Sequence, residues 1–131
     1  MPLWTSDEEL FELCRAELFT AVVGDICDSL GLRHLFLPPQ IRSIHHGLNV
    51  KLMVGRAMTV LEKDVAGEPK GNPFGKMLDA LDDLKPHEVY TCAGASPTYA
   101  LVGELMCNAM LMAGGAGVVC DGYIRDTDRL L

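Results

Sequence analysis

The sequence predicts an α/β domain with at least some parallel strand pairing. Short apolar runs at residues 50–61, 89–93 and 118–120 read as strands, and segments of helical spacing at 76–84 and 103–112 lie between them. Parallel strands need a crossover between them, usually a helix, so strand–helix alternation is the pattern of an α/β layer. Glycines and prolines fall mostly at the joints between these segments, with Gly55 inside the first.

Taken in order, Ser6-Asp7-Glu8-Glu9 has the form of a capping box, with Ser6 as cap and Glu9 three residues on. Leu10, Leu13, Cys14, Glu17 and Leu18 follow with helical spacing. Thr20 opens a second short helix through Ile26 and Leu30, which Gly31 is placed to end. Residues 32–47 contain Pro38-Pro39 and read as an irregular connection. The strand at 50–61 is expected to break at Gly55. Residues 64–75 form a polar loop with glycines and prolines. Met77, Leu78, Leu81 and Leu84 share one helical face, and Pro86 closes that helix. A strand over 89–93 and a turn over 94–97 lead to the helix at 103–112, which Gly114-Gly115 stops. The strand at 118–120 runs into Asp121-Gly122-Tyr123-Ile124-Arg125-Asp126, a loop that enters another helix. The chain stops one turn into that helix, with no strand following, so a C-terminal truncation of the domain is expected.

The bulk properties exclude several classes. With 131 residues, residues 1–131 are read as a single domain. A net charge of -7 leaves no basic footprint for nucleic acid or an anionic membrane. The five cysteines are odd in number, none forms a CxxC pair, and all lie in apolar runs, which fits a reducing, cytoplasmic setting. Met1-Pro2-Leu3-Trp4 followed by acidic residues is no signal peptide. The most apolar stretch, 105–120, is too short to span a bilayer and contains Asn108 and three glycines.

The residues that could carry chemistry sit beyond a strand end, where open α/β sheets bind ligands. Arg125 offers a planar fork for a carboxylate or keto oxygen, and Asp126 offers a hard oxygen ligand for magnesium. Taken alone, such a pair more often caps a helix on the surface. A second element shifts the balance. Gly103-Glu104-Leu105-Met106 opens a helix whose free N–H groups and dipole favour an anion, and Gly103 allows close approach of a ligand. Glu104 has no basic partner nearby in sequence and could be a second carboxylate around a metal. His45-His46 lacks the spacing to face one metal and reads as a loop pair. Gly114-Gly115-Ala116-Gly117 precedes a strand and is not a dinucleotide fingerprint. A Schiff-base lysine needs burial to lower its pKa; only Lys51 lies near an apolar strand, and it reads as a strand end, a weaker candidate.

The chain resembles the regulator of ribonuclease activity A-like (RraA-like) family, which includes 4-hydroxy-4-methyl-2-oxoglutarate aldolases. The resemblance rests on Thr20-Ala21-Val22-Val23-Gly24-Asp25 with Leu30-Gly31, on Gly55-Arg56-Ala57-Met58-Thr59-Val60, on Gly103-Glu104-Leu105-Met106, and on the segment 114–126. An acid, twenty residues, then Arg-Asp is the spacing of the aldolase members, and Glu104, Arg125 and Asp126 reproduce it. Glu104 stands where those members usually have Asp, and Tyr123 where they have a small residue. The resemblance implies a swivelling β/β/α-type domain with a central mixed sheet flanked by helices. It also implies a carbon–carbon lyase using Mg²⁺ or Mn²⁺. Such an enzyme cleaves a 4-hydroxy-2-oxo acid to pyruvate by a retro-aldol step, decarboxylates oxaloacetate, or does both. Catalysis would fall to Arg125 and Asp126. Substrate binding would fall to Gly103, Glu104, Leu105, Met106 and Arg125, and metal binding to Asp126 with Glu104. A trimer or hexamer of identical chains is implied, with a small 2-oxo acid as the other partner. The alternative within the same resemblance is a non-catalytic protein that binds and inhibits a ribonuclease; such members tend to lack the acid after the Arg.

Overall fold

A computed structural model describes residues 2–44, 52–67, 70–72 and 74–130. Two compact units share the chain, Met1–Val54 and Gly55–Leu131. His45, His46 and Lys51 lie outside the described residues, so the loop-pair and strand-end readings given to them have no counterpart here.

The first unit holds two helices, α1 (Asp7–Glu17) and α2 (Thr20–Ser29). Ser6 Oγ accepts the Glu9 N–H at 3.2 Å, as a capping box requires. The Glu9 carboxylate reaches one residue further back than expected, to the Thr5 N–H and hydroxyl, both at 2.7 Å. α2 ends in a Schellman closure: Leu32 N–H donates to Cys27 O at 2.9 Å and Gly31 N–H to Asp28 O at 3.0 Å, with Gly31 at φ 73°. Gly24 lies mid-helix because the Phe36 ring packs there; a Cβ would stand 2.7 Å from Phe36 Cζ.

The second unit is an α/β layer. A three-stranded sheet has the order β1 (Arg56–Leu61), β2 (Glu88–Ala93), β4 (Gly117–Asp121), and a two-stranded sheet pairs β3 (Ala100–Val102) with β5 (Tyr123–Ile124). The mixed sheet implied by the resemblance is parallel in every pairing among the described residues. The helices explain this: α3 (Gly75–Asp83) and α4 (Glu104–Met112) carry the chain back between successive strands, so each strand starts from the same edge. Residues 52–55 stay outside the strand, which begins at Arg56, in keeping with the break expected at Gly55. There is no room for a Cβ at Gly55 against the His87 carbonyl, and that carbonyl accepts the Arg56 N–H at 3.2 Å.

The core lies between the helices and one face of the larger sheet. Tyr90, Cys92, Leu101, Val102, Leu81, Leu84 and Met110 are its buried members, and Met58, Val60, Val118 and Cys120 pack against them. Tyr90–Cys92 on β2, Met58–Val60 on β1 and Val118–Cys120 on β4 are spaced two apart, the period that puts side chains on one face. Burying each large aliphatic or aromatic side chain stabilises the unit by about 1.5–3 kcal/mol relative to exposure. Among the described residues no helix is long and apolar enough to cross a membrane.

Candidate functional site

The two sequence segments singled out as chemical, 103–106 and 125–126, come together in the second unit. β3 and β5 run parallel, with Ala100 beside Tyr123 and Val102 beside Ile124. The ladder continues past the strand, since Arg125 N–H donates to Val102 O at 3.0 Å. This bond brings Arg125 and Asp126 alongside Gly103, the N-cap of α4. A Cβ on Gly103 would lie 2.9 Å from Arg125 Cγ and 3.1 Å from Asp126 Oδ2. Glycine is therefore needed here for the packing of the neighbouring loop.

No side chain of the N-cap residue closes the start of α4. The first intrahelical bond is Cys107 N–H to Gly103 O, at 3.1 Å, which leaves the earlier N–H groups of the first turn directed outward. Asp126 Oδ2 approaches the Glu104 N–H at 3.4 Å, a long contact, and sits 3.0 Å from Arg125 Nε. The Arg125 hydrogen bond, foremost, holds the Asp126 carboxyl below its ordinary range, helped by the Glu104 N–H. Asp126 is thus an anion at neutral pH. Its backbone is left-handed, at φ 58°, a conformation that aspartate tolerates better than most residues and that is frequent at functional sites. That turn also changes the expected outcome downstream: a single 3₁₀ turn, Thr127–Arg129, follows where the sequence pointed to an α-helix.

Arg129 is a site residue that the sequence reading passed over. Its guanidinium lies 3.6 Å from Glu104 Oε2. The absence of a basic neighbour in sequence hid a cation 25 positions on, delivered by the Asp126 turn. Leu105 is 82% exposed and Met106 is half-buried against the core, so they could serve a ligand through their backbone N–H groups. Tyr123 is exposed on β5. A second passed-over residue is Glu62, which follows β1 and has a buried, unpartnered carboxyl oxygen. Its signal in the sequence was a charge at the carboxyl end of an apolar run.

Hard oxygen donors without thiolate or imidazole suit magnesium or manganese. Glu104 and Asp126 supply two carboxylates at one helix N-terminus, which is the share of ligands magnesium usually takes from protein. Among the described residues no group of three His, Cys, Asp or Glu ligands forms. A cation here would complete its shell from water and substrate.

These features define a class: a parallel α/β domain that offers an open helix N-terminus beside an Arg–Asp pair at its strand ends. The model of the RraA-like family, described as Aldolase/RraA, matches residues 20–131, and the chain belongs to that family. Three solved structures share the fold. A protein described among novel cellulases from gut-associated microbes has TM-score 0.79 and 22% identity, covering 96% of this chain and 55% of that one. RraAS2 of Streptomyces coelicolor, described as an unusual member of the RNase ES inhibitor RraA protein family, has TM-score 0.73 and 23% identity, covering 98% and 60%. An uncharacterized protein of Pseudomonas syringae pv. tomato has TM-score 0.72 and 24% identity, covering 99% and 55%. The chain thus spans 55–60% of the length of these three structures. A comparison with curated proteins gave no match.

Proposed function

We propose that this chain carries the metal- and substrate-binding loops of a divalent-metal-dependent carbon–carbon lyase, a class II aldolase or oxaloacetate decarboxylase. Its substrates would be 2-oxo acids such as 4-hydroxy-4-methyl-2-oxoglutarate. The observation that carries this reading is the seating of Arg125 and Asp126 against the open N-terminus of α4, with Gly103 making the room. Both reactions leave negative charge on the oxygen of a pyruvate enolate. When bound, Mg²⁺ or Mn²⁺ supplies Lewis-acid stabilisation of that charge. Asp126 would hold the ion, with the Glu104 carboxylate beside it as a helper. Arg125 donates hydrogen bonds to the oxygen where charge grows, a contribution of the oxyanion-hole type. The outward N–H groups at Leu105 and Met106 receive the substrate carboxylate.

The test is pyruvate release from oxaloacetate and from 4-hydroxy-4-methyl-2-oxoglutarate, with magnesium and with EDTA. Release that EDTA abolishes is expected. No release, or release indifferent to EDTA, sinks the reading. Exposed apolar residues on α4, Leu105, Leu111 and Met112, support assembly as a homotrimer or hexamer, which light scattering would check. Free thiols at all five cysteines support a cytoplasmic setting.

A second reading is a non-catalytic inhibitor of a ribonuclease, which the likeness to RraAS2 brings forward. Asp126 weighs against it, because an acid after the Arg is what the enzymes of the family keep. Inhibition of a ribonuclease by a protein inert toward 2-oxo acids would decide for this alternative.

A further inference from the structure

Glu62 continues the β1–β2 ladder by donating its N–H to Ala93 O at 2.8 Å. The alternation that turns Met58 and Val60 to the core therefore carries Glu62 to the same face. There its Oε1 is buried without a hydrogen-bond partner, as is the Tyr90 hydroxyl. No ion pair to Glu62 forms among the described residues. From β2 and β4 it meets acids that burial keeps neutral: the Tyr90 phenol is pushed up to about 12, and the Cys92 and Cys120 thiols are also raised. Of its exposed chain neighbours, Asp64 is engaged with the Ser96 N–H at 3.2 Å, and Lys63 forms no ion pair with it. Burial likewise raises the Glu62 carboxyl above its ordinary range.

Glu62 also lines a cavity of about 250 Å³ beyond the carboxyl ends of β1 and β2, together with Asp64, Ala95, Tyr99 and Leu101. That is where ligands of parallel sheets sit. β3 forms one wall and runs straight into Gly103; Leu101 precedes it by two residues, at most about 7 Å of chain. Ala100 of the same wall pairs with Tyr123, and Val102 O holds the Arg125 N–H. The cavity and the Arg125–Asp126 loop are therefore built on the same three-residue strand.

We propose that Glu62 is the proton carrier of the lyase reaction, working from this cavity on the carbon next to the substrate's ketone. The proposal rests on the lyase reading. Cleavage of the carbon–carbon bond leaves its electron pair in the enolate, and the other fragment departs as CO2 from oxaloacetate or as a ketone whose former hydroxyl proton passes to water. Glu62 gives its proton to the enolate carbon, which becomes the methyl group of pyruvate, and the resulting carboxylate is reprotonated by water, with no redox change. Two carboxyls whose surroundings push them in opposite directions, one toward the ionised form and one toward the protonated form, are the usual division between ligand and acid. The Asp126–Glu62 pair has this form.

The test is exchange of pyruvate methyl protons in D₂O with the full chain and magnesium, followed by NMR beside pyruvate release from oxaloacetate. In Glu62→Gln, exchange should fall about 10²-fold or more, while the magnesium dependence of residual activity stays unchanged. A wild type that exchanges, with Glu62→Gln keeping pace, overturns the assignment and leaves the lyase reading standing. A wild type that neither exchanges nor releases pyruvate overturns the lyase reading and this role with it. Carbon-detected titration of the wild-type glutamates is independent of how the variant folds: Glu62 should titrate above the others, and titration among them overturns the proposal.

Discussion

Two loops that follow strands in the second unit each carry a carboxylate, and their surroundings differ in almost every respect. Asp126, after β5, lies at the surface with Arg125 Nε at 3.0 Å and the Glu104 N–H nearby, and these neighbours keep it ionised. Glu62, after β1, turns inward to Tyr90 and Cys92 and finds no partner for its buried oxygen, so burial favours its protonated form. The residue types are nearly equivalent. What separates them is whether the adjoining element offers donors or apolar walls. A metal ligand works in its charged form and a proton donor in its neutral one, so the difference favours the ligand role proposed for Asp126 and the proton role proposed for Glu62.

The largest effects should come from breaking the charged end. Asp126→Asn keeps the size but removes the anionic ligand, so activity should fall mainly through metal binding and recover in part at high magnesium. Arg125→Lys keeps the charge and loses the planar fork. Its kcat should drop by about 10²-fold or more with metal affinity nearly intact. Steady-state kinetics across a magnesium series would separate the two; wild-type turnover in both would reduce the pair to a surface cap.

Next is Gly103→Ala, which strikes the contact that seats the loop. The added Cβ would stand 2.9 Å from Arg125 Cγ, so the side chain must shift. Arg125 is 71% exposed and has room to yield, so stability should change by less than the roughly 1–3 kcal/mol of core overpacking. A displaced fork should still lower kcat, on the order of tenfold or more, because small misplacements of a positioned group are costly. An unchanged kcat would show that Gly103 serves packing alone.

How much of this was legible in sequence depends on the range of the interaction. Caps and stops are local, so Ser6, Gly31 and the glycines after α4 could be placed from spacing. β3 and β5 could not. They are three and two residues long, and they exist because each pairs with the other across twenty positions. The Arg–Asp loop was found from its motif, but its contact with Gly103 depends on that same pairing. Arg129 escaped for a similar reason, since the left-handed turn at Asp126 decides where it points. Glu62 looked like an ordinary charged residue closing a strand; only the ladder bond to Ala93 shows that it falls on the buried face.

The pH dependence of stability should sharpen the contrast between the two carboxylates. Glu62 is raised above its ordinary 4.5, so the stability it contributes is full below that value and lost as pH rises through its folded value. Tyr90 adds a later loss between pH 10 and about 12. Asp126 is lowered below its ordinary 3.8, so its contribution is present above that value and lost as pH falls through the folded one. Thermal midpoints across pH should show Glu62→Gln flattening the limb that declines above 4.5. Asp126→Asn should flatten only a shallow acid limb, because an exposed pair is screened by solvent. Equal flattening in the two variants would remove the distinction.

The smallest expected effect belongs to Glu104, whose position between Asp126 and Arg129 allows two explanations. As a water-mediated metal ligand, it contributes less than a direct one, so Glu104→Gln should lower magnesium affinity only a little and leave kcat close to wild type. As simply the partner of Arg129 at 3.6 Å, it belongs to a surface ion pair worth about 0–1 kcal/mol. The explanations part company at Arg129. If Glu104 serves the metal, Arg129→Ala releases its carboxylate from a competing cation, and magnesium affinity should hold or rise while it falls in Glu104→Gln. If the two residues only pair with each other, both variants should lose the same small stability and neither should move magnesium dependence. Calorimetric magnesium titration of the two variants would show which, and equal shifts in the same direction would remove Glu104 from the metal site.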